Sequence, residues 1–481
     1  MRYLFFFSKR KTKYRAALSI LLVVINLWCL SFTSFADTVD YQAEAEARKE
    51  LPIQSNDTSG WPEGPAIGAE AAILMDAKTG TILYAKNIHE ELYPASTTKI
   101  MTCLLAVENA SLGDTITFSS EAVFSVPSDG SSIGMDVGES ITLEQALFGI
   151  MVGSANEVAN AVAEHVSGSI DEFVKLMNKR AVELGCTNTH FSNTNGLQED
   201  DHYTSAYDLA LIARAFFDNE LLCNVGNTPR YHFTATATQP DDFYLNNKHK
   251  LITGEIKYDG IVGGKTGYTD LARETLVTCA EKNGTKLICV ILKEESPSQF
   301  TDTTTLFNYG FNNFQSLNVA ETDARYMPND SLFFESEHDV FGKSGAILSL
   351  DKNSSIIIPK TASIDDTEYT VSYELTDDDL LDNANALAKI TYTYNGVFVG
   401  STLLCYEGNS TGESGGGSSH THTTYINVKI LFLLAALFVV FSTIICTIVS
   451  RIGHHHKYTS KSDRKRYRRR KKEYKKGHVK F

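Results

Sequence analysis

The sequence predicts an α+β protein: an antiparallel sheet flanked by helices, then a small β-sandwich domain and a C-terminal transmembrane helix. Three observations carry this. Between residues 71 and 314 the patterns run strands, helices, strands, helix, so one sheet would draw its first strands from one end of the domain and its last from the other. From about residue 320 to 406 come short β runs separated by turn residues, as in a sandwich. Ile430–Val449 is then 20 residues without a charge, the length that crosses about 30 Å of hydrocarbon.

In chain order, residues 1–36 read as a secretory signal: a basic start (Arg2, Lys9, Arg10, Lys11, Lys13, Arg15), an apolar run to Leu30, and small residues before a cleavage point after Ala36. An uncleaved anchor is the alternative. Residues 37–66 are polar and acidic and are expected to be a leader or tether. The main domain is placed at 67–318. It opens with strands over 71–76 and 81–86, joined by Ala77-Lys78-Thr79-Gly80. Pro94 precedes a helix over Ser96–Asn109, with Ile100, Leu104, Leu105 and Val107 at helical spacing. Leu143–Leu184 is helical with breaks at Gly153-Ser154 and Ser167-Gly168, and Ser205–Phe217 is another helix. Glu274–Glu281 and Lys286–Leu292 are strands meeting at Asn283-Gly284, a hairpin signal. Thr301–Phe314 closes the domain. The sandwich occupies 319–407, a Gly/Ser/Thr-rich stalk 408–425, the span 426–450 and a basic tail 451–481.

The net charge of -14 conceals an asymmetry. The tail has 14 Lys+Arg against two acids, and residues 37–450 carry 24 basic and 56 acidic residues, a net of -32. Such a body repels phosphate, which excludes nucleic acid as a partner. Basic residues beside a span face the cytoplasm, where anionic lipids are the expected partner of the tail, and the body faces outward. Six cysteines lie in the body and none forms a C-x-x-C pair, so no structural zinc site is expected. Cys279 and Cys289, on consecutive strands, either pair or remain buried thiols.

Three short motifs bear chemistry. Ser96-Thr97-Thr98-Lys99 puts a hydroxyl and an amine one turn apart at a helix start. A serine needs a base to become a nucleophile, and a lysine serves if burial keeps it neutral. Ser154-Ala155-Asn156, at a helix break, could pass a proton and orient an amide. Lys265-Thr266-Gly267, with Tyr268 and Thr269 after it, could hold a carboxylate on a strand along which a peptide lies. Each is weak alone. Lys78-Thr79-Gly80 repeats the last tripeptide at a hairpin tip ahead of Ser96, so order and spacing decide, and this copy is assigned to a turn.

The order S-x-x-K, S-x-N, K-T-G is the pattern of penicillin-binding proteins and serine β-lactamases. PASTTKIMT around Ser96, MVGSANEVANAVAEHV around Ser154, HYTSAYDLALIAR from His202 and DGIVGGKTGYT around Lys265 resemble low-molecular-mass D-alanyl-D-alanine carboxypeptidases over about residues 67–315. The resemblance implies a penicillin-binding/β-lactamase-like fold and a bacterial cell-membrane enzyme. Ser96 would form an acyl-enzyme with stem peptides of peptidoglycan, Lys99 would take its proton, Ser154 would relay a proton, and Asn156 would hold the substrate amide. Lys265 and Thr266, within the Lys265–Thr269 run, would bind the terminal carboxylate, and the N–H groups of Ser96 and Tyr268 would form the oxyanion hole. No cofactor or metal is implied. A β-lactam would acylate Ser96 and stay.

There are two departures. Arg273 follows Ala272 where relatives have glycine, and is expected to point to solvent, with the carboxylate subsite as its second possible place. A full span replaces the relatives' amphipathic C-terminal helix. His202 is read as structural rather than as a triad member with Ser96 and Asp208. A β-lactamase is disfavoured because no equivalent of the β-lactamase E-x-x-x-N loop is found between Ser154 and Lys265. DD-endopeptidase action on cross-links, or a non-catalytic wall-binding protein on the same fold, would also be compatible with the chain.

Overall fold

The computed structural model describes residues 39–323 and 347–407. The signal segment, the stalk, the expected span and the basic tail lie outside the described residues. Among those that are described, no helix is long and apolar enough to cross a membrane.

The main sheet joins both ends of its domain, as expected. Strands β1 (Ala71–Asp76) and β2 (Ile82–Lys86) form the first hairpin, and later strands complete the antiparallel order β2-β1-β9-β8-β7. Between them run two short ribbons, β3 (Thr115–Thr117) with β4 (Ser140–Thr142) and β5 (Arg230–Phe233) with β6 (Phe243–Asn246). They are followed by β7 (Ile261–Thr269), β8 (Arg273–Lys282) and β9 (Thr285–Glu294). Asn283 and Gly284 both adopt positive φ, 52° and 77°, as a tight hairpin requires. All of β1 is buried because its two faces meet different cores. Ala71, Ile73 and Met75 join the helical side, while Ala72 and Leu74 join the side of helix Ser298–Asn313.

The helical side is built from Lys99–Asn109, Leu143–Met151, Asn156–Ser167, Ile170–Glu183 and Ala206–Asp218. The breaks fall where Gly153-Ser154 and Ser167-Gly168 place them, and Gly168 caps its helix at φ 82°. Residues 99–106 are all buried, so Lys99–Asn109 is a central helix covered on every face.

Within the 37–66 segment, the described residues 39–66 are not a free tether. Helix Tyr41–Arg48 and a 3-10 turn at Gln54–Asp57 are followed by Trp61, which is buried, donates from Nε1 to the Leu83 carbonyl at 2.9 Å, and packs 5.0 Å from the Phe314 ring. Arg48 is buried too, and its backbone oxygen accepts from Lys86 Nζ at 2.7 Å. Polar composition hid a segment held by backbone hydrogen bonds and one aromatic anchor.

The Cys279–Cys289 pairing does not occur. The β8–β9 register sets Cys279 opposite Ile288 and Cys289 opposite Thr278, and the two thiols enter different cores. Cys103, Cys186, Cys223, Cys279 and Cys289 are all free thiols.

The second module is antiparallel β, beginning at β10 (Phe314–Asn318), directly after the closing helix. It continues with β11 (Ile347–Leu350), β12 (Ser355–Pro359), β13 (Glu368–Ser372), β14 (Ala386–Tyr394) and β15 (Val397–Glu407). In place of two separately bonded sheets, the described strands form one, ordered β10-β12-β15-β14-β13 with β11 on β15. The 11-residue β15 makes this possible: opposite β14 it meets β12 at Gly400 and β11 at its end.

Trp61→Ala is expected to destabilise the folded ectodomain by about 3–5 kcal/mol, measured by urea unfolding. A loss below about 1 kcal/mol would mean that the 37–66 segment is not anchored as described.

Candidate active site

A sharp turn presents the candidate nucleophile. Pro94 leads into a 3-10 turn, Ala95–Thr98, that feeds directly into the central helix at Lys99. Ala95 sits at φ 49°, a left-handed conformation a non-glycine residue holds only when its surroundings enforce it. The Thr97 and Thr98 hydroxyls enforce it by donating back to the carbonyls of Pro94 (2.7 Å) and Ala95 (2.8 Å). Among residues 94–100 only Ser96 is not buried. Gly196, at φ 86°, lies against the other side of the turn, so close that a Cβ would overlap the Ala95 carbonyl.

Lys99 Nζ reaches Ser96 Oγ (3.0 Å), Asn156 Oδ1 (2.7 Å) and the Asn195 carbonyl (2.6 Å). The side chain is fully buried, and desolvation, reinforced by the charge of Lys265, holds its pKa well below the ordinary 10.5. A neutral amine has two N–H donors and one lone pair. The two carbonyl oxygens can only accept, so they take both donors. The lone pair is then left facing Ser96 Oγ–H, the geometry of a general base.

Opposite, Ser154 stands at φ 58° in the break before helix Asn156–Ser167. Its Oγ accepts from Lys265 Nζ at 3.1 Å. Burial, with the charge of Lys248, lowers the Lys265 pKa to about 7. Lys265 therefore reaches the site through Ser154 and not through a bond to Ser96. Gly267 allows β7 to press on the nucleophile turn: a Cβ there would lie 2.8 Å from the Ser96 nitrogen. Thr275 of β8 clamps the same turn, donating to the Pro94 carbonyl at 2.8 Å. Among the described residues nothing hydrogen-bonds the half-buried Thr266 hydroxyl, which is left for a ligand.

Not every expected residue faces the cleft in this way. Thr269 Oγ1 accepts from Ala272 N (3.0 Å) and donates to Gln198 (3.1 Å), so it closes the β7–β8 turn. The Tyr268 side chain is half exposed and donates to Asp270 at 3.1 Å. Arg273 points neither to solvent nor to a subsite: Glu295 takes it in a two-pronged pair at 2.9 and 2.7 Å. Lys78-Thr79-Gly80 is indeed a hairpin turn, pinned by Asp76. His202 is structural. Its Nδ1 accepts from Ser192 N (3.0 Å), so Nε2–H donates to Thr98 Oγ1 (2.8 Å), and burial lowers its pKa to about 3. Asp208 instead binds Asn188 N and Thr189 Oγ1.

Sequence patterns alone missed three contributors. Asn195 supplies a carbonyl to Lys99 and is fixed by Asn160, 3.2 Å from its amide. The one signal for it was the Asn195-Gly196 pair, a turn dipeptide. Glu157, buried, holds the 132–134 loop through Ser132 Oγ and Ile133 N, each at 2.7 Å. Exposed Lys248 stands 3.5 Å from Ser131 Oγ and lowers the pKa of both buried lysines. Neither left a distinctive pattern in the chain.

Comparison with known proteins finds relatives of this chain. A family model described as D-alanyl-D-alanine carboxypeptidase matches residues 58–296. The D-alanyl-D-alanine carboxypeptidase DacF of Bacillus subtilis is 37% identical over 254 residues, covering 52% of this chain and 63% of that relative. DacB2 of Mycobacterium tuberculosis is 31% identical over 256 residues, 52% of this chain and 84% of its own. The crystal structure of penicillin binding protein 6B from Escherichia coli matches in fold with a TM-score of 0.53 at 22% identity, over 72% of this chain and 98% of that one.

Gly196→Ala should cost about 2 kcal/mol or more, since the new Cβ must displace the turn carrying Ser96. Thermal or urea unfolding reads this directly, and unchanged stability would contradict the packing described.

Proposed function

Since the chain belongs to the D-alanyl-D-alanine carboxypeptidase family, we propose that it is a serine-type peptidase that removes the terminal D-alanine from peptidoglycan stem pentapeptides and is acylated by penicillin. The observation that carries this reading is the buried Lys99 Nζ, 2.7 and 2.6 Å from the carbonyl oxygens of Asn156 and Asn195 and 3.0 Å from Ser96 Oγ.

Ser96 Oγ attacks the carbonyl carbon between the last two D-alanines as Lys99 Nζ takes its proton. The oxyanion is held by the N–H groups of Ser96 and Tyr268. Collapse breaks the C–N bond: Ser154 passes its proton to the departing D-alanine amine and takes up the one Lys99 received, which leaves Lys99 neutral and the peptide esterified to Ser96. Water then attacks the ester as Lys99 accepts its proton, the C–O bond to Ser96 breaks, Lys99 returns the proton to Ser96 Oγ, and the shortened peptide leaves. Asn156 spends its Oδ1 on Lys99, so its amide N–H groups remain for the substrate. Lys265 and Thr266 hold the terminal carboxylate, which restores the charge that burial discourages on Lys265. Among the described residues no carboxylate hydrogen-bonds Ser96 or Lys99. This favours a peptidase over a β-lactamase, which needs a carboxylate to drive deacylation.

In this reading residues 1–36 export the chain. The body works outside the cell membrane, residues 426–450 anchor it, and the 451–481 tail rests on anionic headgroups.

Fluorescent penicillin should label the wild-type protein and not Ser96→Ala. Unlabelled wild type of intact fold would refute the proposal in favour of a non-catalytic binding protein. Lys248→Met removes a repelling cation, which raises the pKa of both buried lysines. The acidic limb of acylation rate against pH should therefore move to higher pH, and a limb that stays put or moves down contradicts the electrostatics.

A further inference from the structure

The residue that broke the expected pattern, Arg273, has a built role outside the catalytic set. It opens β8 at φ 54°, a strained position for a non-glycine residue. Its guanidinium is fixed from three directions. Nε and Nη2 grip Glu295, with side chains only 15% and 5% exposed. Nη1 donates to Tyr268 Oη at 3.3 Å. The remaining face lies 3.8 Å from the ring centroid of Tyr41, in the N-terminal helix. The same helix reaches Glu295 again through Arg48 Nη2, at 3.9 Å, and Arg48 Nε ties it to the Gly68 carbonyl at 2.8 Å.

We propose that Tyr41 and Arg273 are positioning residues. Helix Tyr41–Arg48 clasps the β7–β8 turn and thereby sets where the Lys265–Tyr268 segment lies against Ser96. The route is short. Tyr268 is next to Gly267, where a Cβ would come within 2.8 Å of the Ser96 nitrogen, and Tyr268 Oη is one hydrogen bond from the guanidinium. The Arg273–Glu295 pair is too dry to count as a surface ion pair, and its aromatic lid shields it further. This inference rests on the peptidase reading for its effect on catalysis. The same segment binds the carboxylate end through Lys265 and Thr266 and offers the Tyr268 N–H to the oxyanion, so loosening it raises KM and lowers kcat together.

The test uses the full chain in detergent, in two arms. Amide hydrogen exchange over residues 266–273 is followed in wild type, Tyr41→Ala, Tyr41→Phe and Glu44→Ala, the last an exposed position of the same helix. Kinetics on a D-alanyl-D-alanine peptide are measured in parallel. Tyr41→Ala should speed exchange by about tenfold, raise KM by about fivefold and lower kcat by about fivefold. Tyr41→Phe, which keeps the ring face, and Glu44→Ala should both match wild type. The clasp is overturned if Tyr41→Ala leaves exchange unchanged, or if Glu44→Ala has the same effect, since helix loss alone would then suffice. It is equally overturned if Tyr41→Ala lowers kcat with KM intact. If wild type hydrolyses no peptide, the peptidase reading fails, and the exchange arm still decides the clasp.

Discussion

Everything at the site follows from one desolvated amine. Lys99 is in the first turn of a helix buried on all sides, where an ammonium ion is costly and a neutral amine is tolerated. Burial alone would yield an inert group. Two fixed carbonyl oxygens, from Asn156 and Asn195, give it a direction by taking its hydrogens and leaving the lone pair to the serine. The fold must therefore deliver three chain segments, around residues 99, 156 and 195, to one nitrogen.

Architecture explains how it does so. The sheet pairs the first strands of the domain with the last, and its edge strand β7 lies against the nucleophile turn although Ser96 and Lys265 are far apart in sequence. Contact is permitted by missing side chains: Gly196 and Gly267 each occupy space that any Cβ would need. Strain is local and shared. Ala95, Ser154 and Arg273 all hold positive φ at the edges of the cleft, each secured by hydrogen bonds from neighbouring elements. Such conformations persist where the surroundings over-determine them, and they cluster at functional sites.

Much of this was legible in the chain. Periodicity placed the helices of 143–184 and their breaks, and Asn283-Gly284 placed a hairpin, because those signals are local. The motifs around Ser96, Ser154 and Lys265 pointed to side chains that the fold brings together, because the chemistry they suggest demands particular side chains. What was hidden is what depends on distant partners. The 37–66 segment looked like a tether, since its attachment rests on a single tryptophan and on backbone atoms. Arg273 looked solvent-bound because Glu295 and Tyr41 are remote in sequence. The carbonyl of Asn195 carries no side-chain signature at all. Cys279 and Cys289 were open to pairing because neighbouring strands suggest proximity, while register decides facing.

The central claim is that Lys99 is uncharged in the folded protein at neutral pH. Its protonation can be read by NMR of the ε-carbon and ε-nitrogen in lysine-labelled protein titrated from acid to alkaline pH, with Lys99→Met identifying the signal. The account predicts a neutral amine at pH 7, with its titration displaced far to the acid side of the other lysines. An ammonium signal that persists to about pH 10, as for an ordinary exposed lysine, would contradict it.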